Sequence, residues 1–186
     1  MLRVGVLVSG NGTNLQALLD LEQNVYKIVT VVSSKPGAYA LERARASGLE
    51  ALCKNGAEEL IKHFKSRSVG LIVTAGYLKI LAPEFVRAFE GRIINIHPAL
   101  CPSFCGRGFY GLRVHSAVLE YGARITGATV HYVDEGIDSG RIISQKAVEV
   151  LPGDTPEVLQ KRVMEQAERV LLPDAVVGIA IRGTVI

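Results

Sequence analysis

The sequence predicts an α/β protein with a Rossmann-like, mostly parallel sheet and helices on both faces. Apolar runs of strand length recur through the first half of the chain, and amphipathic segments of helical period separate them. Glycine, serine or proline marks most of the junctions. Because a strand, a helix and a second strand in succession favour parallel pairing, this alternation predicts a covered parallel sheet. We expect a single domain over residues 1–186.

The first half of the chain contains five predicted strands and four predicted helices. The run at residues 3–8 is largely apolar, as expected of a strand covered on both faces. The helix at residues 39–46 is expected to turn Arg43 outward, and Pro83 opens a later helix because proline fits the first helical position. The predicted strands are 3–8, 27–32, 49–52, 70–74 and 92–96, and the predicted helices are 14–21, 39–46, 57–65 and 83–89.

The second half departs from this alternation. Residues 98–111 are rich in proline, glycine, serine and cysteine, which predicts a long loop of the kind that carries function or moves. Two β-rich runs then predict an antiparallel or mixed extension of the sheet. Asp154 or Thr155 is the expected N-cap of the last helix, with Pro156 at its first position. The predicted elements are a helix at 112–120, strands at 126–133 and 141–150, and a helix at 157–181.

Composition narrows the function classes. The chain is 48% hydrophobic and 21% charged, as in an ordinary domain with one core. It has no apolar run long enough to cross a bilayer and no signal-like N-terminus, so we expect a cytoplasmic protein without a membrane partner. A formal charge of +3 without a basic stripe argues against nucleic acid. Cys53, Cys101 and Cys105 are too few for a disulfide framework and lack zinc-ligand spacing, so no metal is expected.

Asn95 and His97 are the first candidate pair for chemistry. Side chains alternate along a strand, so both emerge on one face where the chain turns out at Pro98. An amide donor beside an imidazole that titrates near neutrality suits acyl transfer. The alternative is a strand end whose polar residues only satisfy loop carbonyls.

The segment Ser9-Gly-Asn-Gly-Thr-Asn14, here called the glycine loop, follows the first strand. Backbone N–H groups there and the start of the next helix suit a phosphate. However, Leu15 occupies the place of the third glycine of the dinucleotide pattern, and no Walker lysine follows. A simple turn with Thr13 or Asn14 as N-cap is the alternative.

Asp138 lies in the segment between the two late strands. If its carboxylate meets His97, it raises the pKa of the imidazole and gives an acid near neutral pH. Alternatively, Asp138 is a turn residue bonded to its own loop. Among the other candidates, His131 is expected in a supporting role, and His63 on a helix surface.

His115 is expected to support the helix start after the loop. Cys101 and Cys105 are expected to be ordinary thiols, because neither has an evident activating base beside it in sequence.

Five motifs follow one another along the chain: VLVSGNGTNLQA (6–17), AGYLKIL (75–81), NIHP (95–98), GATVH (127–131) and IDSG (137–140). In order and spacing the chain resembles the phosphoribosylglycinamide formyltransferases, a branch of the folate-dependent formyltransferase family. The strand exit and the aspartate loop are shared across that family. The glycine loop is more specific to the branch with a phosphoribosyl substrate.

The resemblance implies the formyltransferase fold and transfer of the formyl group from 10-formyltetrahydrofolate to glycinamide ribonucleotide in purine synthesis, without a metal. It implies a catalytic trio of Asn95, His97 and Asp138. A monomer or a homodimer is expected. The implied ribonucleotide-binding residues are Gly12, Thr13, Asn14 and Glu168, and the implied folate-binding residues are Leu78, Lys79, Ile80, Leu81, Asn95, Asp134, Glu135, Gly136, Ile137 and Asp138.

Two departures from the family pattern stand out. Cys105 occupies the place of proline in a frequent Phe-Pro-Gly, next to a stretch at 107–112 that is longer than in some relatives. Only Lys54 aligns, weakly, with an arginine by which some relatives touch the cofactor.

Three other functions stay open at this point. A methionyl-tRNA formyltransferase shares the trio but is expected to carry a further C-terminal module and a basic surface. A formyltetrahydrofolate hydrolase transfers the group to water and usually carries an added N-terminal domain, which we do not expect ahead of Met1. A phosphosugar-binding protein needs the glycine loop but not the trio.

Overall fold

A computed structural model describes residues 1–21 and 24–183 of the chain. Its described residues form a seven-stranded sheet with helices on both faces. The strands are β1 (Leu2–Val8), β2 (Tyr26–Ser33), β3 (Ala51–Cys53), β4 (Leu71–Thr74), β5 (Ile93–His97), β6 (Ile125–Tyr132) and β7 (Ile142–Glu149). The helices are α1 (Thr13–Asp20), α2 (Tyr39–Ala46), α3 (Ala57–Ser66), α4 (Pro83–Ala88), α5 (Leu112–Tyr121), α6 (Pro156–Val163) and α7 (Arg169–Arg182).

The strand order is β3-β2-β1-β4-β5-β6-β7. The first five strands in this order run parallel, and β6 and β7 extend the sheet in antiparallel pairing. This confirms the predicted fold class and the predicted extension. Since the chain reverses direction along the sheet beside β1, the loops after β1 and β4 diverge there and leave a crevice.

The two faces of the sheet bury separate apolar clusters. Val4, Val6 and Val8 of β1 join the cluster that is covered by α1, α2, α5, α6 and α7. Leu7 points the other way, into a cluster under α3 and α4. That second cluster centres on Phe64, and the centre of its ring lies 6.0 Å from the centre of the Phe85 ring. Both faces of β1 are therefore covered by helices and excluded from water, which explains its largely apolar sequence.

The last helical segment differs from the single helix expected at 157–181. A π-helical turn at Met164–Glu168 separates α6 from α7. Pro173 in α7 gives a physical reason for irregular winding, because it has no N–H group and its ring crowds the carbonyl of Arg169. The N-cap expectation is confirmed for Thr155, whose Oγ1 accepts from the Val158 N–H group.

Two smaller expectations were wrong. The third strand begins at Ala51 rather than residue 49. His63 is buried instead of lying on the surface, and its Nε2 is 2.9 Å from Oγ1 of Thr30. The imidazole turns inward because it has a polar partner on β2. The periodicity of the helix alone does not indicate such a partner. Within the described ranges, no helix is long and apolar enough to cross a membrane.

Candidate active site

A cavity of about 820 Å³ opens at the carboxyl ends of the parallel strands. Its walls come from the glycine loop, the segments after β4 and β5, the loop after β6, and α6 with the π-helical turn. In an open α/β sheet this edge is where ligands bind, since the loops diverge there and no side chain fills the space. The long loop at 98–111 supplies one side of the opening.

The end of β5 carries two polar side chains into this cavity. Ile94 and Ile96 belong to the cluster under α1 and α7, so Asn95 and His97 point to the opposite face, as the alternation predicts. Oγ1 of Thr74, on the adjacent β4, donates to Oδ1 of Asn95 at 2.6 Å. The amide of Asn95 therefore has a fixed orientation, with its nitrogen toward β6.

Asp138 reaches the same point from the loop after β6. Its Oδ2 is 3.5 Å from Nδ1 of His97 and accepts from the Gly106 N–H group at 2.9 Å. Its Oδ1 is 3.5 Å from Nδ2 of Asn95. The alternative reading of Asp138, as a residue bonded to its own loop, is wrong. Asp134 has that role instead, accepting from the Gly136 N–H group and the Ser139 hydroxyl.

His131 completes the group, because antiparallel pairing sets it opposite Asn95. Its Nδ1 donates to the carbonyl of Tyr132 at 2.8 Å, which leaves Nε2 unprotonated in the neutral ring. That Nε2 accepts from Nδ2 of Asn95 at 3.1 Å. His131 and Thr74 thus hold the two ends of one amide. Thr74 escaped the sequence reasoning, although its place at the end of a parallel strand was a usable signal.

Burial and charge compete at His97. Burial lowers the pKa of its imidazole, while the Asp138 charge and the Phe104 carbonyl act to raise it, and burial wins. The expectation of a net raised pKa for His97 is therefore wrong. Because Nε2 lies 2.9 Å from the Phe104 carbonyl, which only accepts, this nitrogen carries a proton.

Asp138 is held as a carboxylate. Burial acts to raise its pKa, but the neighbouring His131 imidazole, the hydrogen bond from the Gly106 N–H group and the charge of His97 bring the pKa below its ordinary value. At neutral pH the site thus places an ionised carboxylate beside a buried imidazole. A further negative charge near this imidazole would raise its pKa and favour its protonation.

The glycine loop forms the opposite end of the cavity. Gly12 is the N-cap of α1, with φ at +73°, and no side chain caps the helix. The alternative of a Thr13 or Asn14 cap is therefore wrong. Both side chains line the cavity instead, whereas Gly12 lies behind them. The N–H groups of the first helical turn have no intrahelical partners, so they suit an anion.

Glu168 closes this end from the π-helical turn. It lines the cavity, and its Oε2 accepts from Nδ2 of Asn14 at 2.7 Å. Burial raises the pKa of its carboxyl, and the bond from Asn14 only partly opposes this. Oδ1 of Asn14 is buried without a partner among the described residues. The structure thus brings Thr13, Asn14 and Glu168 together across more than 150 residues of sequence.

The remaining wall is apolar and lies on the side implied for folate. Leu78 and Ile80 are exposed to the cavity, and Ile80 leaves 70% of its surface uncovered. Such a surface suits a flat ring system. The residues implied for folate that line the cavity are Leu78, Lys79, Ile80, Leu81, Asn95, Asp134, Gly136, Ile137 and Asp138.

Two of the candidates for contact with the folate fall outside the cavity lining. Glu135 forms an ion pair with Arg87 at 2.9 Å instead. Lys54, the weak counterpart of the family arginine, forms an ion pair with Glu59. Arg107, from the stretch that is longer than in some relatives, does line the cavity.

Two other titratable side chains, Cys101 and His115, are buried and not activated. Burial raises the pKa of the Cys101 thiol to about 12, which agrees with an unreactive loop thiol. Burial lowers the pKa of His115 to about 4, so this imidazole is neutral. In the part of the chain that the structure describes, no group of three His, Cys, Asp or Glu side chains is arranged to hold a metal ion.

Comparison with known proteins places the chain among formyl-transferring proteins. A family described as "Formyl transferase" matches residues 2–176. "Trifunctional purine biosynthetic protein adenosine-3" of Drosophila pseudoobscura pseudoobscura is 44% identical, over 96% of this chain and 14% of that protein. "Phosphoribosylglycinamide formyltransferase, chloroplastic" of Arabidopsis thaliana is 40% identical, over 90% of this chain and 62% of that protein. The chain thus spans less than two thirds of the length of these two relatives.

A solved structure has the same fold as this chain. The crystal structure of phosphoribosylglycinamide formyltransferase from Anaplasma phagocytophilum superposes with a TM-score of 0.90 at 37% identity. The match covers 97% of this chain and 87% of that one.

Proposed function

The chain belongs to the formyl transferase family, and on that premise we propose that it transfers the formyl group of 10-formyltetrahydrofolate to the amine of glycinamide ribonucleotide. One observation carries the proposal. A single cavity joins the polar group of Asn95, His97 and Asp138 to an anion-binding helix start at one end and an apolar wall at the other. An acyl transfer between a phosphorylated amine and a folate needs these three parts.

The chemistry follows from the positions of the polar groups. The amine nitrogen attacks the formyl carbon and loses a proton, and the bond from that carbon to N10 of the folate breaks as N10 gains one. No net proton is consumed. In between, the formyl oxygen carries negative charge, which the Asn95 N–H group and His97 stabilise.

Asp138 and the developing charge both favour the imidazolium form of His97. Burial acts against that form and lowers the pKa of His97. An oxyanion beside the ring adds to the effect of the carboxylate at 3.5 Å, so the proton on Nδ1 is held most strongly in the transition state. This differential effect, rather than a permanently charged imidazole, is what accelerates the reaction.

The ribonucleotide binds at the glycine loop. Its phosphate lies at the N-terminus of α1, where N–H groups and the helix dipole favour an anion. Glu168 contacts the ribonucleotide next to Asn14, whose amide it holds in place. The folate ring lies on the apolar wall at residues 78–81, with residues 134–138 facing it.

One assay tests this proposal against its competitors. Purified chain is given 10-formyltetrahydrofolate with glycinamide ribonucleotide, water alone, or initiator tRNA as acceptor. We expect transfer to the ribonucleotide at a rate at least a hundredfold above that to either other acceptor, roughly the gain from positioned acid-base groups. Faster release of formate to water, or formylation of the tRNA, would overturn the assignment.

A further inference from the structure

The glycine loop lies on the start of α2, a contact that the mechanism above does not use. The Ala40 N–H group donates to the carbonyl of Gly10 at 3.0 Å. A Cβ atom on Gly12 would come within 2.6 Å of Cβ of Ala40, so only glycine allows this approach. The loop therefore takes its shape from a helix that itself does not line the cavity.

Arg43 links α2 to the glycine loop and to α1 through hydrogen bonds. Its Nε donates to the carbonyl of Asn11 at 2.8 Å, and its Nη1 donates to Oε1 of Gln16, in α1, at 3.1 Å. The guanidinium carbon lies 5.0 Å from the centre of the Tyr39 ring, which packs against it. The expectation that Arg43 points outward was wrong, because two oxygen acceptors from another segment draw the side chain back along the helix.

The bond to Asn11 has a directional consequence. The peptide between Asn11 and Gly12 is planar, so its carbonyl and its N–H group point in opposite directions. Holding the carbonyl toward Arg43 aims the Gly12 N–H group away from α2. The cationic guanidinium also adds positive potential behind the loop.

We propose that Arg43 is a positioning residue for the phosphate of the substrate. It fixes the Asn11–Gly12 peptide so that the loop presents its N–H groups to the anion before the ligand arrives. This inference rests on the proposed function for the identity of the substrate. It does not rest on turnover, because a phosphate ester alone reports the same site.

The test compares Arg43→Gln with Arg45→Gln. The second variant loses the same charge two residues further along α2, on the other side of the helix. Arg45 forms an ion pair with Glu42 on the exposed side of α2 and has no contact with the loop among the described residues. We expect Arg43→Gln to raise KM for glycinamide ribonucleotide about tenfold, the order of magnitude of losing a charge-assisted hydrogen bond. The folate KM and kcat should change less than twofold, and Arg45→Gln should leave all three constants within twofold.

Arg43→Lys separates geometry from charge and covers the case in which Arg43→Gln fails to fold. An ammonium keeps the charge but lacks the planar fork that bridges two acceptors, so KM for the ribonucleotide should stay well above that of the parent chain. Full recovery by lysine would overturn the positioning role. An unchanged KM in Arg43→Gln, or an equal rise in Arg45→Gln, would also overturn it.

Binding of ribose 5-phosphate, measured by calorimetry, keeps this inference distinct from the proposed function. If the parent chain binds the phosphate ester and Arg43→Gln binds it about tenfold more weakly, the positioning role stands even where no formyl transfer is seen. If both bind it equally, the positioning role fails whatever the enzyme assay shows.

Discussion

His97 lies between two acceptors of different kind, the Phe104 carbonyl on Nε2 and the Asp138 carboxylate near Nδ1. A neutral imidazole can donate to only one of them at a time, whereas an imidazolium can donate to both. Burial opposes the charged form and outweighs the Asp138 charge. A second negative charge beside the ring, such as the oxyanion of the reaction, adds to the effect of Asp138 and favours the imidazolium.

The first prediction is that His97→Ala loses on the order of 100-fold or more in kcat, because the imidazolium charge that stabilises the developing oxyanion is gone. The substrate KM values should change far less, since the interaction is made mainly in the transition state. Steady-state kinetics on a variant shown to be folded by circular dichroism would check this. Turnover close to that of the parent chain would remove His97 from the mechanism.

The second prediction concerns Asp138, whose charge raises the pKa of His97 against the effect of burial. Asp138→Asn removes the charge but keeps the shape, so the pKa of His97 should fall further and activity at neutral pH should drop. The limb of the rate profile on which activity falls with rising pH should move to lower pH.

An NMR titration of His97 in both forms would measure this directly, because kinetic profiles of coupled groups report the pair. Asp134→Asn is the matched control, since Asp134 bonds its own loop. An unchanged His97 pKa in Asp138→Asn would leave Asp138 as a loop anchor only.

At the scale of elements, the π-helical turn and α1 meet through one buried pair, Asn14 and Glu168. A helix that wound regularly through this segment would carry the carboxylate to a different angle around its axis. The irregular winding next to Pro173 is therefore what presents Glu168 to the cavity. It does so at a cost, because burial raises the pKa of this carboxyl.

The third prediction is that Glu168→Gln stabilises the chain at neutral pH while weakening ribonucleotide binding. A buried acid with a raised folded-state pKa makes stability fall as pH rises from its unfolded pKa, near 4.5, through the folded value. Glutamine removes that loss and can still accept from Asn14. Thermal unfolding at pH 5 and pH 8 should show a smaller decline for the variant than for the parent. An equal decline in both would mean that Glu168 is not the group responsible.

At the scale of the whole molecule, the two faces of the sheet bury different apolar clusters. The cluster under α1 and α7 lies behind the residues that form the cavity, and the cluster under α3 and α4 is built around three phenylalanine rings. Phe64 fills the space above Gly5, where an added Cβ atom would lie 2.6 Å from its ring. The buried members of this second cluster do not line the site, although Tyr77, Leu81 and Val133, which pack against them, do.

The fourth prediction is that Phe64→Ala lowers the free energy of unfolding by about 3–5 kcal/mol, the usual range for emptying a buried phenylalanine site. At a temperature where the variant is still folded, both substrate KM values should stay within about twofold, a free-energy difference below 0.5 kcal/mol. Urea unfolding and kinetics on the same preparation would measure the two effects. Phe64→Leu is the milder control. A large KM change with little loss of stability would show that this cluster does shape the cavity.

Much of this architecture was predictable from local sequence. The apolar runs, the helical spacing of leucines and the helix-start signals at Pro83 and Thr155 are carried by neighbouring residues, and they predict nearly all the elements within a few residues. Alternation along β5 was enough to aim Asn95 and His97 at one face. The motifs then point to the family, and through it to Thr13, Asn14, Asp138 and Glu168 as site residues.

What only the tertiary structure decided are the relations between distant segments. Asn14 meets Glu168, Asp138 meets His97, and Arg43 turns back to the glycine loop because each finds a partner from another element. The low pKa of His97 comes from burial, which depends on everything packed around the ring. Local sequence encodes the period of an element and the ends at which it stops. Distances, desolvation and the direction of a long side chain belong to the assembled molecule, since they are sums over neighbours that the chain order does not place side by side.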